Sequence, residues 1–247
     1  MKLPGIASFL ILTVFFLFPA ISLVAQSSAD DSVLYQKAIN NLVSLYHQSE
    51  GDQTGLYNGS QYGGFPFTFK EGHPFFYDGK PGTGSIVYED VLYENVLLQY
   101  DEIQEAVVME DSSRRIQLLN ERIRQFSVFN NAFIRIVKDS LSNALVKTGY
   151  YNLLYEGRNR LLKKEIKTVR EDITTEKVIY YVDLHEYYYI KKDNTYYAVN
   201  SKRNVLKIFG DRKKEVQQYI RKNKLSYRKD RDNMLIKVTA YYDQLIK

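Results

Sequence analysis

The chain has 247 residues, with no cysteine and no tryptophan beside 22 tyrosines and 13 phenylalanines. With 45% hydrophobic and 26% charged residues it has the make-up of a folded globular chain, and the lack of cysteine excludes disulfides, thiolate metal sites, thiol nucleophiles and a lipid-anchored cysteine. The net charge of +5 is unevenly placed: residues 26–135 hold 8 basic and 15 acidic residues, whereas residues 136–247 hold 25 and 14.

Met1 and Lys2 precede an apolar run over residues 6–18, then Pro19 and small residues leading to Ala25. That is the layout of a secretory signal peptide over residues 1–25, cleaved after Ala25. A membrane anchor also uses such a run, but Pro19 interrupts this one and the polar stretch 26–31 follows directly. A cysteine-free exported chain fits a bacterial envelope better than a eukaryotic exterior, where small domains often carry disulfides.

Residues 26–50 predict a helix. Asp31 and Ser32 can cap it, and Leu34, Ala38, Leu42 and Leu45 recur at helical spacing. Residues 51–84 turn irregular, rich in glycine and aromatic rings. A merely polar linker would not carry so many rings, so the segment reads as an ordered connector strapped over the core, with Tyr57, Phe65, Phe67 and Phe76 as its anchors and as a candidate binding surface. Its glycines lack the strand-to-helix setting of a phosphate-binding loop.

Residues 85–200 read as short strands rich in β-branched and aromatic residues. The first hairpin turns at Glu89 and Asp90, a break falls at Glu94 and Asn95, and further hairpins turn at Asn130–Asn131 and Asp193–Asn194. Polar residues 170–177 separate two strands, and the pattern over 138–147 does not decide between a short helix and a loop. From Ser201 onward the period becomes helical. Ser201 can cap one helix, Asp211 a second carrying Val216, Tyr219 and Ile220, and Asp230 or Asp232 a last one carrying Leu235, Val238, Tyr242 and Leu245. Between residues 201 and 230 stand 11 basic and 3 acidic residues. Lys213, Lys214, Arg221 and Lys222 are expected to face outward as a docking surface for an acidic partner.

Catalytic patterns are sparse. His47, His73 and His185 lack the helical spacing of a zinc motif, no serine sits in a Gly-x-Ser-x-Gly elbow, and the carboxylate pairs Glu89–Asp90 and Asp101–Glu102 fall at turns, where solvated residues are expected. Two carboxylates on separate strands could still form a glycosidase or peptidase site, because the separation that matters is spatial. No cofactor is implied.

The phrases Leu56-Tyr57-Asn58-Gly59, Gly72-His73-Pro74-Phe75-Phe76, Tyr93-Glu94-Asn95-Val96-Leu97-Leu98-Gln99-Tyr100-Asp101 and Tyr151-Asn152-Leu153-Leu154-Tyr155-Glu156-Gly157, with the lysine-rich end, resemble an uncharacterised exported family of Bacteroidota. The likeness spans nearly all of the mature chain, its motifs are structural in character, and it brings no catalytic residues with it. It implies a periplasmic location or one facing the outer membrane. Asp31-Ser32-Val33 and Asp139-Ser140-Leu141 are similar to the O-glycosylation acceptor signature of that phylum, which makes Ser32 and Ser140 candidate acceptors.

The expected fold is α+β: a curved, half-barrel-like antiparallel sheet of about ten strands, one N-terminal helix against it, and two or three basic helices at the C-terminus. The expected function is non-enzymatic binding of an envelope protein or outer-membrane component, without nucleic acid and without a transmembrane span after cleavage. A hydrolase with unidentified carboxylates and a lipid or lipoprotein carrier are the alternatives.

Overall fold

The computed structural model describes residues 54–111, 114–138 and 145–246. The signal segment, the helix over residues 26–50, His47 and most of the undecided stretch 138–147 lie outside the described residues. Within them the fold is α+β, with one large open sheet and three C-terminal helices.

The strands are β1 (Ser60–Gln61), β2 (Phe69–Glu71), β3 (Gly82–Tyr88), β4 (Val91–Asp101), β5 (Ala106–Asp111), β6 (Arg114–Gln117), β7 (Ile123–Val128), β8 (Asn131–Ile136), β9 (Gly149–Glu156), β10 (Arg160–Ile173), β11 (Val178–Lys192) and β12 (Thr195–Ala198). The helices are α1 (Lys202–Ile208), α2 (Lys213–Lys222) and α3 (Arg231–Leu245). The strand order is β1-β6-β5-β4-β3-β7-β8-β9-β10-β11-β12, and β2 joins β11 in parallel. The sheet therefore has 12 strands where about ten were expected, and it is mixed where an all-antiparallel one was expected. The extra strands β1 and β2 come from the connector, which contributes backbone pairing as well as rings.

Turn chemistry explains the hairpins. Glu89 and Asp90 sit at φ 51° and 66°, and Asp193 and Asn194 at φ 48° and 60°. Two successive residues at positive φ give the turn whose twist matches that of its strands, and Asn and Asp tolerate it best. The β7–β8 turn is one residue earlier than the sequence suggested, at Phe129 and Asn130 with φ 50° and 59°. Register decides this, since Val128 faces Asn131 and Phe126 must face Phe133 in the core. Glu94 and Asn95 do not end a strand. Asn95 takes φ 56° as a bulge opposite the Gly84–Ile86 step, and β4 continues through it. The polar stretch 170–177 separates two strands over a shorter span than expected: β10 runs on to Ile173, 174–177 form the turn, and β11 starts at Val178, so the strands make one long hairpin.

Three apolar clusters hold the fold. The largest lies on one face of β3 to β9 and includes Tyr88, Leu98, Tyr100, Met109, Ile123, Phe126, Phe133 and Tyr150. Phe126 and Phe133 stack with ring centroids 4.7 Å apart, and Tyr100 and Tyr150 pack against them edge-on or tilted. Leu161 packs with the helices in the second cluster, while its neighbour Leu162 packs with Val146 and Tyr151 in the third. Successive strand residues point to opposite faces, so the root of β10 is covered on both sides and reads as a continuous buried run.

Candidate functional site

The three helices spend their apolar faces on packing. Val205 and Phe209, then Val216 and Ile220, then Met234, Leu235, Val238 and Tyr242 are buried, and Phe209 stacks on Tyr242 at 4.0 Å. Ser201 caps α1 by accepting the Asn204 N–H at 3.3 Å, and Asp230 caps α3 by accepting that of Asn233 at 3.2 Å. Asp211 does not cap α2, which starts at Lys213 without a side-chain cap. Its carboxylate is engaged elsewhere, 3.0 Å from Lys192 Nζ and accepting the Tyr242 hydroxyl at 3.0 Å.

What remains outward on these helices is cationic. Lys213, Lys214, Arg221 and Lys222 are all exposed. Of the four, Lys213 enters a cleft: with Lys202, Arg203 and Lys207 it lines a solvent-open groove of about 920 Å³. A second groove of about 640 Å³ shares Lys202 and Arg203 and adds Arg228 and Arg231. Among the described residues no carboxylate lines either groove. The reading from sequence counted Lys202, Arg203 and Lys207 in the basic stretch without singling them out. The signal was present in that stretch, but which cations converge depends on how α1 turns into α2.

The aromatic connector divides. Phe76 enters the large core, edge-on to Phe133 at 5.0 Å, and Tyr57 packs against that core while donating its hydroxyl to Asp111 at 2.7 Å. Phe65 and Phe67 do not reach the core. They group with Phe69, and Phe67 stacks on Tyr180 of β11 at 3.8 Å. The four candidate residues thus do not gather into one surface, because β2 carries its rings away to the long hairpin. Tyr57, Tyr62, Arg114 and Arg115 border a separate cleft of about 460 Å³.

The carboxylate pair Asp101–Glu102, expected to be solvated, is buried at 0% and 2% exposure. Asp101 accepts the Tyr62 hydroxyl at 2.6 Å and the N–H groups of Ile103 and Gln104 at 2.8 and 2.9 Å. Glu102 lies 3.1 Å from Lys167 Nζ, and its backbone N–H is donated to the Pro74 carbonyl at 2.9 Å. The turn after β4 is drawn inward because β9 leaves β10 beyond Lys163, opening an edge where the turn docks. Lys164 contacts Glu105 from that edge. Burial pushes the Glu102 carboxyl up to about 7, with Lys167 acting against it. Glu89 and Asp90 stay in solvent and pair with Arg122 and Arg124.

Lys163 sits between Glu165 at 2.9 Å, Glu186 at 2.7 Å and Asp232 at 3.4 Å, which ties α3 to the sheet. These ionic groups are structural in geometry: Lys163, Lys164 and Lys167 each join carboxylates of other elements to β10, and at 2% exposure Glu102 is closed to a substrate. His185 is exposed, with Nε2 3.2 Å from Thr168 Oγ1. Among the described residues no three carboxylates or histidines stand together as a metal site, and no helix is long and apolar enough to cross a membrane. Ser32 and Ser140 lie outside the described residues. Comparison with protein-family models, with curated proteins and with solved structures gave no match.

Proposed function

We propose that this is an exported, non-enzymatic envelope protein that docks an acidic polypeptide segment of a partner protein on the cationic face of its C-terminal helices. The observation that carries the reading is the groove where Lys202, Arg203, Lys207 and Lys213 converge without a carboxylate. Neighbouring Arg212 is held by Glu215 at 3.2 Å, whereas those four form no ion pair with another described residue. Four cations around one groove, unpaired among the described residues, attract an extended anionic chain at long range, with affinity that falls as salt rises. A membrane-binding face would add apolar side chains that insert between lipids. None of the exposed large apolar residues belongs to the helical segment. Export and envelope location rest on the leader over residues 1–25 and on the resemblance to an exported family of Bacteroidota.

The test uses poly-glutamate as a defined acidic polypeptide and vesicles of anionic lipid as the competing surface. The wild-type chain is expected to bind poly-glutamate with an affinity that drops between low and physiological salt, and the Lys202→Glu, Arg203→Glu, Lys207→Glu, Lys213→Glu variant is expected to lose it while keeping its circular dichroism. Tighter binding to the vesicles, or retention by the variant, refutes the docking reading.

A further inference from the structure

β10 and β11 are 14 and 15 residues long, yet β9 covers only the root of β10. β9 pairs with β10 over Arg160–Lys163, β12 pairs with β11 over Tyr189–Lys192, and β2 touches β11 at Tyr180 and Tyr181. On the β10 side, the Lys167 N–H points away from β11 and is donated to the Glu102 carbonyl at 3.3 Å. Backbone groups alternate direction along an antiparallel pair, so those of Val169, Glu171 and Ile173 point the same way. Among the described residues nothing pairs with that edge beyond Lys167. An unpaired edge of this kind is a template for another strand.

We propose that this edge pairs antiparallel with the same edge of a second copy of the chain, about a two-fold axis through Glu171. The sequence selects the partner and the register. Facing residues in an antiparallel pair share a face, so a two-fold axis normal to the ribbon must place one residue opposite its own copy. With Glu171 on the axis, Arg170 faces Asp172 of the second copy, Val169 faces Ile173, and Thr168 faces Thr174. Cation meets anion and apolar meets apolar, twice each by symmetry. Moving the axis to Arg170 or Asp172 sets like charges opposite each other and leaves Ile173 facing Lys167 or Glu171, and moving it to Val169 requires the Lys167 edge that Glu102 already fills.

The two faces agree with this register. Across the hairpin, Val169 faces Val182 and Ile173 faces Val178, with Glu171 and Tyr180 between them on the same face, and Ile173 is 75% exposed. Pairing sets these apolar residues side by side across both copies. On the other face Arg170 is held in place by Asp183 at 2.9 Å and lies over the Tyr181 ring, while Asp172 forms no ion pair with a described residue. The Glu171 pair on the axis is the one unfavourable contact, which keeps the association reversible.

Because the natural chain has no cysteine, the register can be read directly. In a hydrogen-bonded pair the facing Cα atoms are about 5.5 Å apart, a separation that a disulfide spans. Glu171→Cys is expected to oxidise to a covalent dimer, whereas Thr168→Cys, which faces Thr174, is expected to form no covalent cross-link under the same treatment. In sedimentation velocity the wild-type chain is expected to dimerise, Asp172→Arg to weaken dimerisation roughly tenfold or more, and the swap Arg170→Asp, Asp172→Arg to restore it. Glu171→Gln is expected to tighten it. A wild-type chain that stays monomeric at high concentration, a dimer indifferent to Asp172→Arg, or equal cross-linking at positions 168 and 171 overturns the proposal, as does a swap variant that folds and does not dimerise.

Discussion

Lys167 holds Glu102 through two independent contacts: its ammonium lies 3.1 Å from the buried carboxylate, and its backbone N–H is donated to the Glu102 carbonyl at 3.3 Å. One residue at the edge of β10 thereby fixes the turn that follows β4, more than sixty positions earlier in the chain.

Burial raises the Glu102 carboxyl from 4.5 to about 7, so the folded state holds this proton more tightly than the unfolded chain does. The stability that it contributes is complete below about pH 4.5 and is lost as pH rises through about 7. Denaturant unfolding measured from pH 5 to 8 is expected to show the wild type losing up to about 3 kcal/mol relative to Glu102→Gln. Parallel curves for the two proteins would show that the carboxylate is ionised throughout.

Phe76 and Phe67 both belong to the connector but stand in different surroundings. Phe76 is 9% exposed in the large core, and its replacement by alanine is expected to cost about 3 to 5 kcal/mol. Phe67 is half-buried on the hairpin, and Phe67→Ala is expected to cost about 1 kcal/mol. Equal losses in thermal melts would place Phe67 in the core after all.

Asp243, buried near the end of α3, accepts the Asn159 N–H and the Tyr155 hydroxyl at 3.1 Å each, along with the Asn159 side-chain amide. Removing the carboxylate leaves these donors unpaired beneath the helix. Asp243→Ala is expected to cost about 3 kcal/mol and to speed hydrogen exchange in α3 before that in β3 to β8. Uniform protection across both regions would contradict a local anchoring role.

Much of the fold was legible in particular residues. The Glu89–Asp90 and Asp193–Asn194 turns, the Ser201 cap and the helical spacing of Leu235, Val238 and Tyr242 are short-range signals, each found as read, and of the two candidates Asp230 and Asp232 it is Asp230 that caps the last helix. The misreadings have a common origin. Asn95 looks like a strand break, and the stretch 170–177 a longer break than the turn at 174–177, because polar residues interrupt apolar runs, but a bulge and an exposed hairpin accept polar residues at little cost. Asp101 and Glu102 look solvated because turns usually are, and no local pattern announces that Lys167 will be their neighbour.

By itself, then, the sequence determined the alternation of strands, turns and terminal helices, the outward lysines and arginines, and the uneven charge, because these follow from φ preferences, side-chain period and composition. Tertiary structure alone decided which distant groups meet: β2 against β11, Glu102 against Lys167, four cations around one groove, and an edge beyond Lys167 that no described residue covers. The physical reason is that each depends on how separate elements are set beside one another: the length mismatch between β9 and β10 leaves the edge where Glu102 meets Lys167, and the turn from α1 into α2 brings the cations together, neither being a property of a single stretch of residues.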